Sequence, residues 1–540
     1  MRKIITVSSL EKILPSTKSP KIQKSGKMAK NEVYSFQVAY KYEKFIRDAD
    51  IKIEGSLKDF IEVRMVENVP VNSPNFWAGD DYMISKEPFL CPDVLRPLDV
   101  RRIYARYKSW NVLWLTVKGD LPIGKHKIKI SIVHESLEPL ECVYTLEVLD
   151  FSLPCVDFTY TNWFHYDSIS NYYGLPVFSK KYNEIMYKFI KKAIEHGMNM
   201  LLIPMFTPPL DTRVGCERKT AQLVEVFVTE NGYEFNLDKL IEFMKTVQEM
   251  GIKYFEMNHL FTQWGVKSCP KIVGKKNGKT VKLFGWKDKS NGEKYAHFLG
   301  CFLPILRERL IFENLYENCR FHISDEPGDW CLQEYEYANA LVRKHMPDAI
   351  ITDALSHYEF HEKKLVDRCV CATDAIQVFL DNNVPNLYAY YCCAQSDKGL
   401  SNRFMAFPSL RNRVIGVQLY LNKIKGFLHW GYNFYNSVLS DVPINPYFVT
   451  DAGGAFQSGD GYVVYPGENG PYDSIRHECF FEGLQDMYLL YELENRIGRD
   501  KVEEILLSYG FEKGFYVYPR NERVFLEMIE KIKVMTNEAK

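Results

Sequence analysis

An alternation of strand and helix patterns that begins near residue 158 constrains the fold more than any other feature of the sequence. Residues 158–164 predict a strand, and residues 185–194 place apolar side chains on one face of a helix that ends at Gly197. The unit then recurs, and further strands are expected at residues 200–204, 252–256, 320–324, 349–353, 369–372, 387–391 and 426–430. Eight strands over about 280 residues match the count and size of a (β/α)8 barrel, with a doubly wound open sheet as the alternative.

Residues 1–153 show a different pattern, in which apolar and polar residues alternate in short runs. Turn signals such as Pro122 and Gly124 separate these runs, which lie at residues 33–38, 112–117, 127–132 and 144–148. Strands at this spacing without helical periods indicate a β-sandwich. The sequence therefore predicts an α/β chain, with an N-terminal β-sandwich (1–153) before a TIM-like (β/α)8 catalytic domain (154–540). The C-terminal part of that domain adds a strand at 462–465 and helices that complete the shell.

Charge and composition exclude several classes of partner. Lys and Arg number 68 and Asp and Glu number 69, so no global field draws the chain to nucleic acid or to an anionic membrane. No apolar run is long enough for a signal peptide or a membrane span, and the expected location is the cytoplasm. The 13 cysteines form no CxxC pair, which favours reduced thiols over a disulfide framework or a zinc site. Aromatic residues make up 14% of the chain, and this excess fits the flat apolar platforms of sugar-binding clefts.

The fourth predicted strand ends in two adjacent acids, Asp325 and Glu326, and Pro327 follows them directly. Barrel enzymes place catalytic groups at the carboxyl ends of their strands, so this pair is the first candidate for chemistry. The other interpretation is a helix start, in which acidic residues and proline occupy the first turn. The two interpretations are compatible, because a helix that begins here would hold both side chains at the rim of the barrel.

The spacing of the acid pair constrains the mechanism. A retaining glycosidase with a protein nucleophile needs two carboxyl groups about 5–5.5 Å apart, on opposite sides of the anomeric carbon. Sequence neighbours have Cα atoms about 3.8 Å apart and side chains that diverge, so such a pair does not easily flank a sugar ring. One acid can protonate the glycosidic oxygen while the other holds a substituent of the same sugar. If that substituent is a 2-acetamido group, its carbonyl oxygen attacks C1, and the pair therefore suggests substrate-assisted catalysis.

The chain resembles glycoside hydrolase family 123 in four segments, which are LFTQWG (260–265), FHISDEP (321–327), GFLHWGYN (426–433) and GDGYVVYPG (459–467). The resemblance runs from about residue 30 to about residue 495. Members of that family are β-N-acetylgalactosaminidases with an N-terminal β-sandwich and a (β/α)8-like catalytic domain. The resemblance implies retaining exo-hydrolysis of terminal β-linked N-acetylgalactosamine from an oligosaccharide or a glycolipid glycan, without a cofactor.

The resemblance also implies a role for each acid, because the Asp-Glu pair of the family falls on Asp325 and Glu326. Asp325 would accept a hydrogen bond from the acetamido N–H, orient the carbonyl group and stabilise positive charge in the oxazolinium intermediate. Glu326 would be the general acid for departure of the leaving sugar and then the base that activates water. That role requires a raised pKa for Glu326, which the neighbouring anion and an apolar rim would supply.

Substrate-binding side chains are expected at the ends of the other strands. Nine candidates follow from their positions, and these are Trp163, His165, Asn258, Trp264, Asp353, Tyr391, Trp430, Tyr432 and Asn433. Tyr391 is preferred over Tyr390 as the donor to the acetamido oxygen, and Trp430 is the expected platform under the cleaved sugar. Asn258 and Asp353 are expected to bind sugar hydroxyls, with the capping of a loop as the alternative.

Two other classes of function remain open. One is a barrel hydrolase with a separate nucleophile, Glu256 or Asp353, that acts on a sugar without the acetamido group. The other is a non-catalytic carbohydrate-binding protein on the same fold, against which the unaltered acid pair argues. His357 and His361 have the i, i+4 spacing of zinc ligands but lack the Glu that follows the first His in such motifs, so no metal is predicted.

Overall fold

The computed structural model describes residues 2–74, 80–98, 102–230 and 232–539. The N-terminal part forms two facing sheets around a shared hydrophobic core, with strand orders β1-β3-β8-β5-β6 and β2-β10-β9-β4-β7. The strands are β1 (Lys3–Ser8), β2 (Ser25–Met28), β3 (Tyr34–Lys41), β4 (Ile46–Glu54), β5 (Ile61–Val71), β6 (Phe89–Pro97), β7 (Arg102–Ala105), β8 (Asn111–Val117), β9 (Gly124–His134) and β10 (Leu137–Val148). In β9, Ile128 and Ile130 are buried in the core while Lys127 is exposed. The alternating sequence pattern therefore corresponds to the two faces of a sandwich sheet.

The first sandwich sheet also contains two strands from the C-terminal part of the chain, β23 (Val464–Pro466) and β24 (Pro471–Ser474). β24 pairs with β6, and the register places Asp473 opposite Leu95. The strand expected at 462–465 thus belongs to the sandwich sheet and not to the shell of the barrel. The division of the chain at residue 153 stays a prediction.

The central part forms a parallel eight-stranded sheet in the order β18-β15-β12-β11-β22-β21-β20-β19. Its strands are β11 (Thr159–Asn162), β12 (Met200–Ile203), β15 (Tyr254–Met257), β18 (Cys319–Phe321), β19 (Thr352–Leu355), β20 (Arg368–Ala372), β21 (Tyr388–Tyr390) and β22 (Gly426–His429). A bridge between Phe321 and Ile351 brings the two edge strands together, so the barrel is nearly closed. The prediction of a TIM-like barrel is confirmed, and the open-sheet alternative is wrong.

Helices cover the barrel, and a second sheet is inserted in the connections after its second and third strands. The helices are α1 (Tyr166–Tyr173), α2 (Lys180–Glu195), α3 (Asp238–Met250), α4 (Glu293–Phe312), α5 (Leu332–His345), α6 (Glu359–Glu362), α7 (Gln377–Asp381), α8 (Ser409–Arg413), α9 (Ile415–Leu421), α10 (Ile475–Ile497), α11 (Arg499–Ser508) and α12 (Glu522–Glu538). The inserted sheet has the order β14-β13-β16-β17, from β13 (Glu225–Thr229), β14 (Gly232–Asn236), β16 (Ile272–Lys276) and β17 (Lys279–Phe284). Among the described residues, no helix is long and apolar enough to cross a membrane.

Local sequence accounts for these helices in the same way that alternation accounts for the strands. In α2, Ile185, Phe189 and Ile190 recur at helical spacing and are buried against the barrel. Gly197 follows the helix with φ +89°, a left-handed conformation that glycine adopts without a steric penalty. The barrel interior has its own apolar layer, which includes Leu202, Val370 and Leu428.

Candidate active site

The acid pair lies in an open loop at the carboxyl end of the fourth barrel strand. β18 ends at Phe321, and α5 begins at Leu332 after a 3-10 turn that starts at Asp329. Asp325 and Glu326 therefore precede the helix, and the helix-start interpretation of the pair is wrong. Both residues are partly exposed at the mouth of the barrel, where a substrate can reach them.

The backbone of Glu326 has a conformation that residues other than glycine rarely adopt, and so has that of Trp264 in the neighbouring loop. Glu326 has φ +43°, and Trp264, in the loop after β15, has φ +52°. This left-handed region costs about 1–2 kcal/mol for each such residue. Several hydrogen bonds join the two loops, among them one from the Trp264 N–H to the Asp325 carbonyl (3.1 Å) and one from the Ser324 hydroxyl to the Thr262 carbonyl (2.8 Å). The loop after β15 thus fixes the position of the acids, and strain of this kind is common at functional sites.

Glu326 accepts hydrogen bonds from two aromatic side chains. The Tyr390 hydroxyl donates to Glu326 Oε1 at 2.6 Å. The Trp264 side chain also donates to Glu326, and with 44% of its surface exposed it forms part of the rim. Both donors stabilise the carboxylate form of Glu326, which is the form that a general acid reaches after it has given up its proton.

The two carboxyl groups influence each other's ionisation. Burial raises the pKa of Asp325 well above its usual range, and the charge of Glu326 adds to this, while His322 acts in the opposite direction. Burial also raises the pKa of Glu326, and the hydrogen bonds from Tyr390 and Trp264 partly offset that effect. Because the acids interact, they titrate as a pair, and a single proton is shared between them over an intermediate pH range.

A fully buried charge network lies inside the barrel, in strands adjacent to the pair. His322 donates from Nε2 to Glu256 Oε1 at 2.7 Å and from Nδ1 to Asp353 Oδ1 at 2.9 Å. Glu256 also accepts hydrogen bonds from Thr161 (2.8 Å) and Trp163 (2.9 Å). All these polar side chains are buried, and together they link the first, third, fourth and fifth barrel strands.

Asp353 has a second role at the gap between the edge strands of the barrel. Its Oδ2 accepts a hydrogen bond from the Tyr335 hydroxyl of α5 at 2.5 Å and from the Ile323 N–H at 3.1 Å. The Asp353 side chain thus links the two edge strands, β18 and β19, beyond the single bridge between Phe321 and Ile351. With every oxygen of Glu256 and Asp353 in a hydrogen bond and both side chains 0% exposed, neither can serve as a separate nucleophile in this conformation.

Most of the nine expected binding residues lie below the surface of the site. Seven are buried, and these are Trp163, His165, Asn258, Asp353, Tyr391, Tyr432 and Asn433. His165 donates from Nε2 to the Trp430 carbonyl and accepts at Nδ1 from Arg218. The Asn433 side chain accepts from the His165 backbone N–H and donates to the His165 carbonyl. Asn258 bonds the Phe206 N–H and the His259 carbonyl. For Asn258 and Asp353 the capping alternative therefore describes the structure better than contact with sugar hydroxyls.

Tyr390 and Tyr391 point to opposite sides of β21, and the preference for Tyr391 does not agree with the structure. The Tyr391 ring packs on Phe427, outside the barrel interior, and its hydroxyl reaches Asn412 Oδ1 at 3.5 Å. Tyr390 instead lies in the apolar layer of the barrel interior and contacts Glu326. Tyr432 is likewise directed away, because its hydroxyl donates to the Phe189 carbonyl of α2 at 2.9 Å.

Trp264 and Trp430 are the expected binding residues that keep solvent exposure. The Trp430 ring stands edge-on to Phe434 and Phe456, with ring centroids 5.0 and 5.4 Å apart. Its Nε1 donates to Asp460 Oδ2 at 3.0 Å, and burial raises the pKa of Asp460 to about 7. The indole is therefore held in a fixed orientation, as a sugar platform requires.

The sequence ranked Tyr390 below Tyr391 and did not single out four other groups near the site. These are the buried His322 and the acids Asp211, Asp374 and Asp460, which lie after the second, sixth and eighth strands. The charge of Asp374 raises the pKa of Glu326, and Asp211 acts in the same way on Asp325. Each of these acids follows a barrel strand, and this pattern is visible in the sequence. Many other polar residues show the same pattern, so it does not distinguish these three.

Within the described ranges of the chain, two clusters have the spacing of metal ligands, but neighbouring charged groups already pair with their side chains. In the first, His259, His322 and Asp353 lie close together, yet both nitrogens of His322 already bond carboxylates. In the second, His196, His477 and Asp473 lie close together, but Arg64 and Lys192 stand 3.0 and 3.2 Å from Asp473. Cations at that distance supply the charge that a metal ion would bring.

The site and fold agree with a known enzyme family. Residues 163–493 match the glycoside hydrolase 123 catalytic domain. The chain belongs to glycoside hydrolase family 123. It is therefore a glycoside hydrolase with a carbohydrate substrate. The matched range begins directly after the first barrel strand, and it contains the acid pair and the loops that follow all eight barrel strands.

One solved structure of the same family supports the same fold. A family 123 glycoside hydrolase from Clostridium perfringens, described for glycolipid glycan hydrolysis, superposes with a TM-score of 0.76 at 13% identity, over 100% of this chain and 98% of that chain. A family 5 xyloglucanase from Bacteroides ovatus has a TM-score of 0.32 at 8% identity, over 89% and 100% of the two chains. A family 39 enzyme from Bacteroides cellulosilyticus has a TM-score of 0.33 at 8% identity, over 81% and 80%. The last two likenesses are too low to carry an argument, and no curated protein matches the chain.

Proposed function

We propose that this family 123 enzyme is an exo-acting, retaining β-N-acetylgalactosaminidase in which the acetamido group of the substrate is the nucleophile. The observation that supports this most strongly is the placement of four carboxyl groups. Asp325 and Glu326 share one loop at the mouth of the barrel, whereas the two separate nucleophiles considered, Glu256 and Asp353, are enclosed and fully hydrogen-bonded. An adjacent pair on one side of the sugar leaves the attack on C1 to the sugar itself.

The first step forms the oxazolinium ion. Asp325 accepts the acetamido N–H, and the acetamido carbonyl oxygen attacks C1 while the bond from C1 to the glycosidic oxygen breaks. Glu326 gives its proton to the departing oxygen, and the resulting carboxylate is stabilised by Tyr390 and Trp264. The single hydroxyl proton of Tyr390 is directed at Glu326, so we assign to Tyr390 the stabilisation of this carboxylate and not a contact with the acetamido oxygen.

The second step hydrolyses the intermediate. The Glu326 carboxylate takes a proton from a water molecule, whose oxygen attacks C1 as the oxazolinium ring opens. Two inversions give a product with the configuration of the substrate, and Glu326 regains the proton that the next cycle requires. Strengthened hydrogen bonds to a developing carboxylate favour the transition state over the ground state.

For the substrate, we propose terminal β-linked N-acetylgalactosamine on an oligosaccharide or a glycolipid glycan. The Clostridium perfringens enzyme of the same family is described for glycolipid glycan hydrolysis, and its fold covers the whole of this chain. The half-buried Trp430 and the exposed Trp264 offer apolar faces at the barrel mouth that suit pyranose rings.

A screen of aryl glycosides tests this proposal. We expect turnover of aryl β-N-acetylgalactosaminide, little turnover of aryl β-galactoside, and inhibition by a thiazoline analogue of the oxazoline. Glu326→Gln should remove nearly all activity on natural linkages, and Asp325→Asn should lower turnover of acetamido substrates. Asp329→Asn, an exposed acid of the same segment, is the matched control and should keep activity.

Two outcomes would contradict the proposal. Equal turnover of the two aryl glycosides would favour a separate nucleophile, and the exposed Asp374 near Glu326 would then be the acid to replace. Binding of β-hexosaminides without turnover would favour a non-catalytic carbohydrate-binding protein.

A further inference from the structure

We infer that Trp264 and Trp330 form a platform for the sugars of the leaving group, on the rim side of Glu326. We call these two residues the rim platform. The inference rests on the proposed function, because it concerns the part of the glycan that lies beyond the bond cleaved at Glu326. It adds Trp330 to the residues that contact substrate, and it separates the binding of the leaving group from the binding of the terminal sugar.

The rim platform consists of exposed tryptophans in two neighbouring loops. Trp264, in the loop after β15, is 44% exposed, and Trp330, in the segment between β18 and α5, is 59% exposed. The other tryptophans in the described ranges of the chain are buried or half-buried. Single exposed apolar side chains are common on protein surfaces, whereas grouped ones mark binding sites.

The Trp330 indole is seated between the two loops. A Cβ atom added to Gly265 would lie 2.6 Å from the Trp330 ring, and one added to Gly328 would lie closer still to its Nε1 atom. Any larger residue at either position would therefore collide with the indole. Lys267 Nζ stands 5.2 Å from the ring centroid, in a cation–π contact that restricts the ring further. The ring is thus held in place while most of its surface stays accessible.

Trp264 connects the rim platform to the catalytic acids. Its backbone N–H donates to the Asp325 carbonyl at 3.1 Å, and its side chain donates to Glu326. Gly265 follows Trp264 directly, so the Trp330 ring, which packs on Gly265, adjoins the residue that contacts Glu326. The rim platform therefore begins at the general acid and extends outward from it.

The position of Glu326 between two aromatic partners shows which part of the substrate the rim platform receives. Glu326 protonates the oxygen that joins the terminal sugar to the rest of the glycan, so that oxygen lies beside Glu326 during the reaction. Tyr390 reaches Glu326 from the apolar layer of the barrel interior, whereas the exposed Trp264 reaches it from the rim. An exo-acting enzyme encloses the terminal sugar and leaves the rest of the glycan at the opening. The terminal sugar therefore lies on the Tyr390 side, and the next sugars lie on the rim platform.

Indole rings suit this part of a glycan chemically. The face of a pyranose ring presents C–H groups, and the face of an indole carries the negative π density that attracts them. Such stacking depends little on the identity of the hexose. The rim platform therefore favours a leaving group of at least two sugars without selecting a single sequence.

The test compares two substrates with the same terminal sugar. One is methyl β-N-acetylgalactosaminide, and the other is a trisaccharide in which N-acetylgalactosamine is β-linked to two further hexoses. Both leaving groups are alcohols that need the proton of Glu326, but only the trisaccharide can reach Trp330. In Trp330→Ala, KM for the trisaccharide should rise by about threefold to tenfold while kcat changes less, and the ratio of kcat/KM for trisaccharide to methyl glycoside should fall by a similar factor. Trp330→Phe keeps an aromatic face and should restore part of that ratio.

Phe312→Ala is the matched control. Phe312 is 79% exposed at the end of α4, and this end leads into β18 and so lies on the opposite face of the barrel. The variant removes an exposed aromatic ring far from the mouth and should leave the ratio unchanged. An unchanged ratio in a folded Trp330→Ala enzyme would overturn the inference, as would equal losses on the two substrates.

A second test needs no variant, should Trp330→Ala fail to fold. The leaving-group disaccharide alone should inhibit wild-type turnover of the methyl glycoside, because it occupies the rim platform. Absence of inhibition at concentrations well above the KM of the trisaccharide would contradict the inference. If wild type turns over neither acetamido substrate, the proposed function fails first. If wild type is active and Glu326→Gln is inactive, an unchanged ratio rejects only the rim platform.

Discussion

The Tyr390 hydroxyl donates to Glu326 Oε1 over 2.6 Å, while the next residue, Tyr391, extends its hydroxyl to Asn412 on the other side of the strand. One step along β21 thus separates a side chain in the site from one in the outer core. This geometry provides a pair of neighbouring variants with the same chemical change and different expected effects.

Tyr390→Phe should lower kcat on acetamido substrates by about tenfold to a hundredfold, because the developing Glu326 carboxylate loses a preorganised donor. Tyr391→Phe removes a hydroxyl of the same type from a long 3.5 Å contact and should leave kcat nearly unchanged. Steady-state kinetics on aryl β-N-acetylgalactosaminide would compare them. Equal losses in both variants would show that the Tyr390 hydroxyl has no special role.

The wild-type pH profile of kcat/KM should be bell-shaped and displaced upward from the range of free carboxyl groups, which is near pH 4. Activity needs an ionised Asp325 and a protonated Glu326, so it is lost as the pH falls through the lower pKa of the pair and as it rises through the higher one. Burial raises the pKa of both acids. In Tyr390→Phe, a hydrogen bond that lowers the pKa of Glu326 is gone, so the alkaline limb should move to higher pH. A downward movement would contradict the assignment of Glu326 as the acid.

Trp430→Phe should destabilise the protein by about 1–3 kcal/mol, since it leaves the buried Asp460 without its indole donor. Burial raises the pKa of Asp460 to about 7, so the folded state binds its proton more tightly than the unfolded chain, and stability falls as the pH rises towards 7. Removal of the donor raises that pKa further, and the loss should therefore be larger at pH 8 than at pH 5. Thermal unfolding at both pH values measures this, with the exposed Trp330→Phe as the control. Equal losses at the two pH values would rule out Asp460 as the cause.

Arg64→Met should lower the free energy of unfolding by about 3–5 kcal/mol, because it removes the guanidinium that two buried acids share. Arg64 of β5 stands 3.0 Å from Asp473 and 2.7 Å from Glu478, which begin the return from β24 into α10. Burial would raise the pKa of Glu478, but Arg64 and His196 lower it to about 2, so the stabilisation is present at neutral pH and is lost as the pH falls towards 2.

Lys118→Met is the control for that variant, because Lys118 pairs with Glu62 at 2.8 Å on the same sheet but is 52% exposed. Exposed pairs contribute about 0–1 kcal/mol. Denaturant unfolding would compare the free energies of unfolding of the two variants. Similar losses would mean that the buried ion pairs of Arg64 with Asp473 and Glu478 stabilise the protein no more than an exposed pair does.

The generalisation that barrel enzymes carry catalytic groups at the carboxyl ends of their strands located the two acids. It did not identify which other residues contact them or the substrate. Asp325 and Glu326 stand out in the sequence because two carboxyl groups follow a buried run, and the structure places that run as the fourth strand of the barrel. Of the nine residues expected to bind substrate by the same rule, seven are buried. A position at a strand end determines where a residue lies along the barrel axis. Contact with substrate also depends on the direction in which its side chain points.

Direction is a matter of strand register, and a shift of one residue reverses it. Tyr390 rather than Tyr391 lines the barrel interior because β21 pairs with β22 so that Tyr390 lies opposite Leu428. The tyrosine pair itself carries no sign of which member faces inward, since both are large and buried.

The sequence by itself determined the alternation of strands and helices, the sandwich before the barrel, and the acid pair at a strand end, because periodicity and neighbouring residues are local properties. The tertiary structure alone decided that Glu256, His322 and Asp353 form one charged unit, although they lie on three different strands. It also decided that Tyr390 meets Glu326, because ionisation and contact depend on distances through space that no local pattern encodes.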